Sequence, residues 1–223
     1  MNSKPALAVA LAALTLCVAG CSAAAPDARP TASATSEAAP ASASASASAS
    51  AAGPGEGEAG GTSSGWQLVP ANGAAGIKAA GLQVLSEEGS AEHYHAHLDV
   101  IADGKRIPVP ADIGFSFGAD GQPNGISALH THDESGIIHI EAPTAGLTYT
   151  LGQVLTEWGV LDGSNSAPGS PHSSAADWQA YVNGAKQPGS PRDIKLKAHD
   201  EVLLVHGAAP ATIPSSYSFP DGY

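Results

Sequence analysis

The chain has 223 residues and nine histidines, six of which fall in two short windows. In "AEHYHAHLDV" (91–100), His93, His95 and His97 occupy every second position. In "LHTHDESGIIHIEAP" (129–143), His130, His132 and His139 are followed two residues later by Glu141. Side chains two apart on a β-strand point to the same side, so an HxH pair can offer two imidazole nitrogens to one ion. A third nitrogen from a neighbouring strand completes an open three-histidine site. His130, His132 and His139 supply those donors within one hairpin, and Glu141 is placed to be a fourth ligand or to fix an imidazole tautomer. His93, His95 and His97 either complete that site or build a second one. The opposing reading is a set of polar side chains on the wet face of a sheet. Imidazoles crowded together repel as they protonate near their ordinary pKa of about 6.5, unless a cation or carboxylates such as Asp99 and Glu141 relieve them.

The identity of the ion narrows by subtraction. The cysteines are Cys17 and Cys21, near the N-terminus, and the sole methionine is Met1, so the histidine-bearing region has no soft sulfur ligand. Imidazole with optional carboxylate suits Zn(II), Cu(II), Ni(II) or Fe(II), and zinc or copper is expected. The remaining inventory is plainer: His172 and His199 fall in polar loops or turns, His206 ends an apolar strand, and Trp66, Trp158 and Trp178 are expected in the core. The sequence contains no nucleophile motif, phosphate loop or Cys–His pair.

Strands must position these donors, and parity says how. Over 93–101 one parity holds His93, His95, His97, Asp99 and Ile101, and the other holds Tyr94, Ala96, Leu98 and Val100. Asp103-Gly104 predicts the hairpin turn that follows. In the second window His130, His132, His139 and Glu141 share one face, opposite Leu129, Thr131, Ile138 and Ile140, provided the intervening loop sets His130 across from His139. The next element, "TLGQVLTEWG", predicts a helix capped by Thr150, with Leu151, Val154, Leu155 and Trp158 on one stripe and Gly159 ending it. A hairpin turning at Asn183-Gly184 and an apolar strand, Val202–Val205, close the pattern. Residues 66–90 are consistent with either a small strand pair or a short helix.

Hairpin, helix, short hairpin and final apolar strand, in that order, resemble the β-grasp fold of ubiquitin and the small sulfur carriers over roughly residues 127–207. The expected fold is therefore α+β: one β-rich domain with a β-grasp-like mixed sheet, one short helix and an additional N-terminal β-hairpin. The resemblance implies a helix over the apolar face and an outward-facing histidine face. It implies no ubiquitin-like modifier, because the chain lacks a terminal Gly-Gly and runs on to "PDGY". The two windows together also resemble a group of secreted bacterial and archaeal proteins with HxHxxL and LHTHDxxGxIHxE motifs. That resemblance supports the unity of the windows and adds no chemistry.

The N-terminus bears on compartment. "MNSKPALAVALAALTLCVAGC" has an early lysine, a short apolar run and the small residues Val18-Ala19-Gly20 before Cys21. It resembles the lipobox of bacterial lipoproteins, which implies that Cys21 is lipidated and that 1–21 is a signal segment. Residues 22–65 are rich in Ala, Ser and Gly, without an aromatic or large aliphatic side chain, and read as a flexible tether. The folded domain is expected over 66–210, with a tail at 211–223. The formal charge of −12 argues against nucleic acid, whose phosphates require a basic surface.

Together these features predict a lipid-anchored, extracytoplasmic protein that captures or transfers a divalent metal, with the membrane, the ion and an extracytoplasmic metal-handling protein as partners. Two alternatives stay open. One is an enzyme whose metal activates water with Glu141, Asp133 or Glu134 as base, and the other is a metal-free interaction module.

Overall fold

The computed structural model describes residues 65–223, all within one compact unit, Gly57–Tyr223. Cys21 and the 22–64 part of the tether lie outside the described residues.

The fold is mixed α+β. The strands are β1 (Glu92–Ala102), β2 (Lys105–Ile107), β3 (Phe115–Phe117), β4 (Pro123–Ile126), β5 (Leu129–His130), β6 (Ile137–Ala142), β7 (Gln179–Val182), β8 (Ala185–Lys186) and β9 (Glu201–His206). The helices are α1 (Gly73–Ala79) and α2 (Leu151–Trp158). Seven strands form one mixed sheet in the order β5-β6-β1-β9-β7-β8, with β2 paired to β1, while β3 and β4 form a second, two-stranded sheet.

The first histidine strand is the centre of this sheet. β1 runs antiparallel to β6 and parallel to β9, so the hairpin expected as an addition to a β-grasp-like core instead supplies its middle strand. Its apolar face is buried, with Ala96, Leu98 and Val100 all within 1 % of full burial. The strand order thus places β1 between β6 and β9.

Local sequence explains the elements around it. Asp103 and Gly104, and again Asn183 and Gly184, adopt positive φ and close two-residue hairpins. At the start of α2 the Gln153 side chain accepts the Thr150 backbone N–H at 2.9 Å, and Gly159 ends the helix at φ 80°. Leu151, Val154, Leu155 and Trp158 enter the same core as Leu129, Ile138 and Ile140, as the parity reading requires. Trp66 and Trp178 join it, with the Trp158 indole donating to the Trp66 carbonyl at 2.8 Å. Residues 66–90 supply a 3₁₀ turn (Pro70–Asn72) and α1.

One core group is a liability. Glu157 on α2 is 5 % exposed and neither carboxyl oxygen has a hydrogen-bond partner. Burial pushes its pKa up to about 8. The folded state thus keeps a proton that the unfolded chain releases above its ordinary pKa of 4.5, so stability falls as pH rises from 4.5 to 8. Glu157→Gln is expected to be the more stable protein at pH 8, with a gap that widens by roughly 3 kcal/mol between pH 5 and pH 8. Denaturant melts at the two pH values check this; parallel profiles for the two proteins would rule out a neutral buried acid.

Candidate metal centre

The sheet register brings the two histidine windows together. His130 lies opposite His139 between β5 and β6. Between β1 and β6, His95 lies opposite His139 and His93 opposite Glu141. These donors share the sheet face that α2 does not cover.

His130, His132 and His139 form the first group. A ligand nitrogen of each lies within 4.8 Å of the others. The His132 ring stands edge-on to both partners, with centroids 4.8 Å from His130 and 4.5 Å from His139. His130 is 1 % exposed. Its Nδ1–H donates to the Ser127 carbonyl at 3.0 Å, which fixes the tautomer and leaves a lone pair on Nε2. That Nε2 is buried and has no hydrogen-bond partner. The nearest carboxylate is Glu88, 3.7 Å from His130 Nε2 and 3.4 Å from His132 Nε2. His132 is open to solvent, with a side chain 41 % exposed.

A second set adjoins the first. His93, His95 and Glu141 also present ligand atoms within 4.8 Å of one another. Glu141 Oε1 lies 3.4 Å from His93 Nε2 and 3.1 Å from His139 Nδ1, and His139 Nδ1 lies 3.1 Å from His95 Nε2. Glu141 therefore touches both sets, since it also groups with Glu88 and His130.

His97 stands apart. Its Nε2–H donates to the Ser135 carbonyl at 2.9 Å, and its Nδ1 lies 2.7 Å from Glu201 Oε2. Both ring nitrogens are thus engaged by partners outside the cluster. Asp99 joins His97 and Glu201 within 4.8 Å, but its carboxylate is engaged by Arg106. This group borders a cleft of about 400 Å³ lined also by Glu134 and Tyr217.

The histidine face was expected to look outward, and it is covered instead. Its lid is the expected tail. Tyr217 stacks on His97 at 3.7 Å, Phe219 lies over His199, and the Tyr223 ring sits 4.7 Å from His95. The tail contacts His95, His97 and His139, and Phe115 packs edge-on to His130; all four rings are buried.

Burial sets the electrostatics. Desolvation, reinforced by neighbouring imidazoles, lowers His130 to about 3, and His95 and His139 to about 4. Near neutral pH these rings are uncharged with lone pairs available, the state a metal requires.

Of the bases considered for a water-activating enzyme, Glu141 lies within the cluster itself. Asp133 accepts the Ser135 backbone N–H at 2.9 Å, and hydrogen bonds from Ser135 hold its carboxyl below the usual range. Glu134 lines the cleft beside His97. His206 pairs with Asp103 at 2.9 Å, and His172 lies 3.5 Å from Asp162, both away from the cluster. Sequence reasoning missed Glu88 and Glu201. Glu88 lies in the loop before β1, where no periodicity marks it. Glu201 sits one residue before the apolar strand but opposite His97 in the parallel β1–β9 register. The chain was compared with family models, curated proteins and solved structures, and none of them matches it.

Proposed function

We propose that this protein binds a divalent transition metal, zinc or copper, through His130, His132 and His139 with Glu88 at the fourth position, and captures or transfers it as an extracytoplasmic lipoprotein anchored at Cys21. The observation that carries the metal reading is His130. Its proton is tied to the Ser127 carbonyl, and its buried Nε2 points a lone pair at a site without a donor. Leaving such a group unmet costs about 1–3 kcal/mol, which a bound cation converts into a bond. Glu141 behind His139 Nδ1 fits the carboxylate–histidine arrangement that fixes a ligating ring. The exposure of His132 and Glu88 leaves the ion reachable from solvent, which favours exchange with a partner over a sealed structural role.

Metal analysis of full-length protein without a histidine tag, loaded with Zn(II) or Cu(II) and desalted, is expected to return at least one equivalent. Persistent sub-stoichiometric metal would sink the metal reading. The anchor is tested separately. Cys21→Ser is expected to move the protein from the membrane to the soluble extracytoplasmic fraction after processing, and continued membrane association of the correctly cleaved variant would contradict it.

A further inference from the structure

The geometry points to a second metal ion beside the first, held by His93, His95 and Glu141, so that the cluster is a two-metal centre with His139 and Glu141 at the join. This inference rests on the metal reading above and extends it. Three observations carry it.

The first is donor supply. His93, His95 and Glu141 group within 4.8 Å of one another, separately from the group of His130, His132 and His139. One ion with four to six positions does not use both groups and Glu88 as well.

The second is spacing. Tetrahedral coordination with bonds of 2.0–2.1 Å puts donor atoms about 3.3 Å apart. Within the second set, Glu141 Oε1 lies 3.4 Å from His93 Nε2.

The third is an unsatisfied proton. Glu141 accepts, so His139 Nδ1 carries the hydrogen of that contact and presents it to His95 Nε2 as well. His95 must then hold its own proton on Nδ1, which is buried without any partner. The opposite tautomer sets the lone pair of His139 against Glu141. Neither arrangement satisfies the set with protons alone; with His95 donating its Nε2–H to His139 Nδ1, the buried His95 Nδ1 keeps a lone pair that an ion beside Glu141 would take up. Two adjacent dications repel, and the carboxylates Glu88 and Glu141 supply the compensating charge.

The test is a titration of full-length untagged protein with Zn(II) against a chromophoric chelator, paired with electron paramagnetic resonance of the Cu(II)-loaded form. Wild type is expected to bind two equivalents, with magnetically coupled copper. His93→Ala, at a side chain 57 % exposed, is expected to keep one tight equivalent and show an uncoupled spectrum, with affinity for the second equivalent falling tenfold or more. His132→Ala is expected to weaken the other equivalent. One equivalent in wild type, whether or not His93→Ala changes it, overturns the second site and leaves the first standing. Two equivalents without coupling overturn the shared centre. No bound metal in wild type overturns the underlying metal reading instead.

Discussion

Replacing His132 with alanine is expected to remove most of the stabilisation that Zn(II) or Cu(II) gives the folded protein. A ligand that binds only the folded state stabilises it by RT ln(1 + [L]/Kd), about 4 kcal/mol at a thousandfold excess over Kd. For a domain of this size that is a rise in Tm of roughly 10 °C. Loss of one donor from a four-donor site weakens binding by roughly a hundredfold or more, taking each ligand's share of a binding energy of about 10–16 kcal/mol. His132 suits the test because its side chain is 41 % exposed, so truncation leaves little cavity and the apo melting temperature should hardly move. His130→Ala should lose metal as completely but also destabilise the apo protein, since its ring is fully buried. His172→Ala, in a loop remote from the cluster, should shift the metal-dependent Tm by nothing measurable. Equal metal shifts in wild type and His132→Ala would reduce these rings to the polar side of a sheet.

Acid should strip stability from the apo protein well before it reaches the metal ligands in the folded state. His95, His130 and His139 are lowered from 6.5 to between about 3 and 4. Below 6.5 the unfolded chain therefore takes up protons that the folded chain refuses, and stability falls with pH until the folded pKa values are reached. Above 6.5 the raised Glu157 acts in the opposite sense. The apo stability profile should thus peak near pH 6.5, and below it unfolding should take up close to three protons from these rings. Glu157→Gln should flatten the alkaline side and steepen the acid side between pH 4.5 and 6.5, where Glu157 opposes the imidazoles. The sequence alone predicts metal release as pH drops through 6.5, where free imidazoles protonate. Burial moves that competition to about pH 3 at His130 and about pH 4 at His139, so these two rings should still hold metal at pH 5.5. Chelator competition at pH 5.5 and 7.5 measures this, and a steep loss of affinity between them would contradict it.

What could be read from the sequence follows the range of the forces involved. The helix over 151–158, both two-residue turns and the split of β1 into histidine and aliphatic faces depend on neighbours a few residues away, and each is present. The pairing of His130 with His139 was legible because one short loop fixes it. The parallel pairing of β1 with β9 was not legible, because it joins segments about a hundred residues apart with no connecting turn to set the register. That pairing places Glu201 against His97 and keeps His97 from the cluster. Glu88 approaches the site through a loop, and Tyr217 and Tyr223 cover the face as a segment without strand periodicity. Local pattern thus indicated which face carried the histidines, while tertiary contact decided which of them converge and that the face is covered.

The central claim is that these imidazoles hold an ion, and anomalous diffraction at the zinc absorption edge from crystals of zinc-loaded, untagged protein tests it most directly. A peak about 2.0–2.1 Å from His130 Nε2 and His132 Nε2, with His130 Nδ1 still on the Ser127 carbonyl, is the predicted result. Crystals of the loaded protein with no anomalous density among His130, His132 and His139 would contradict it.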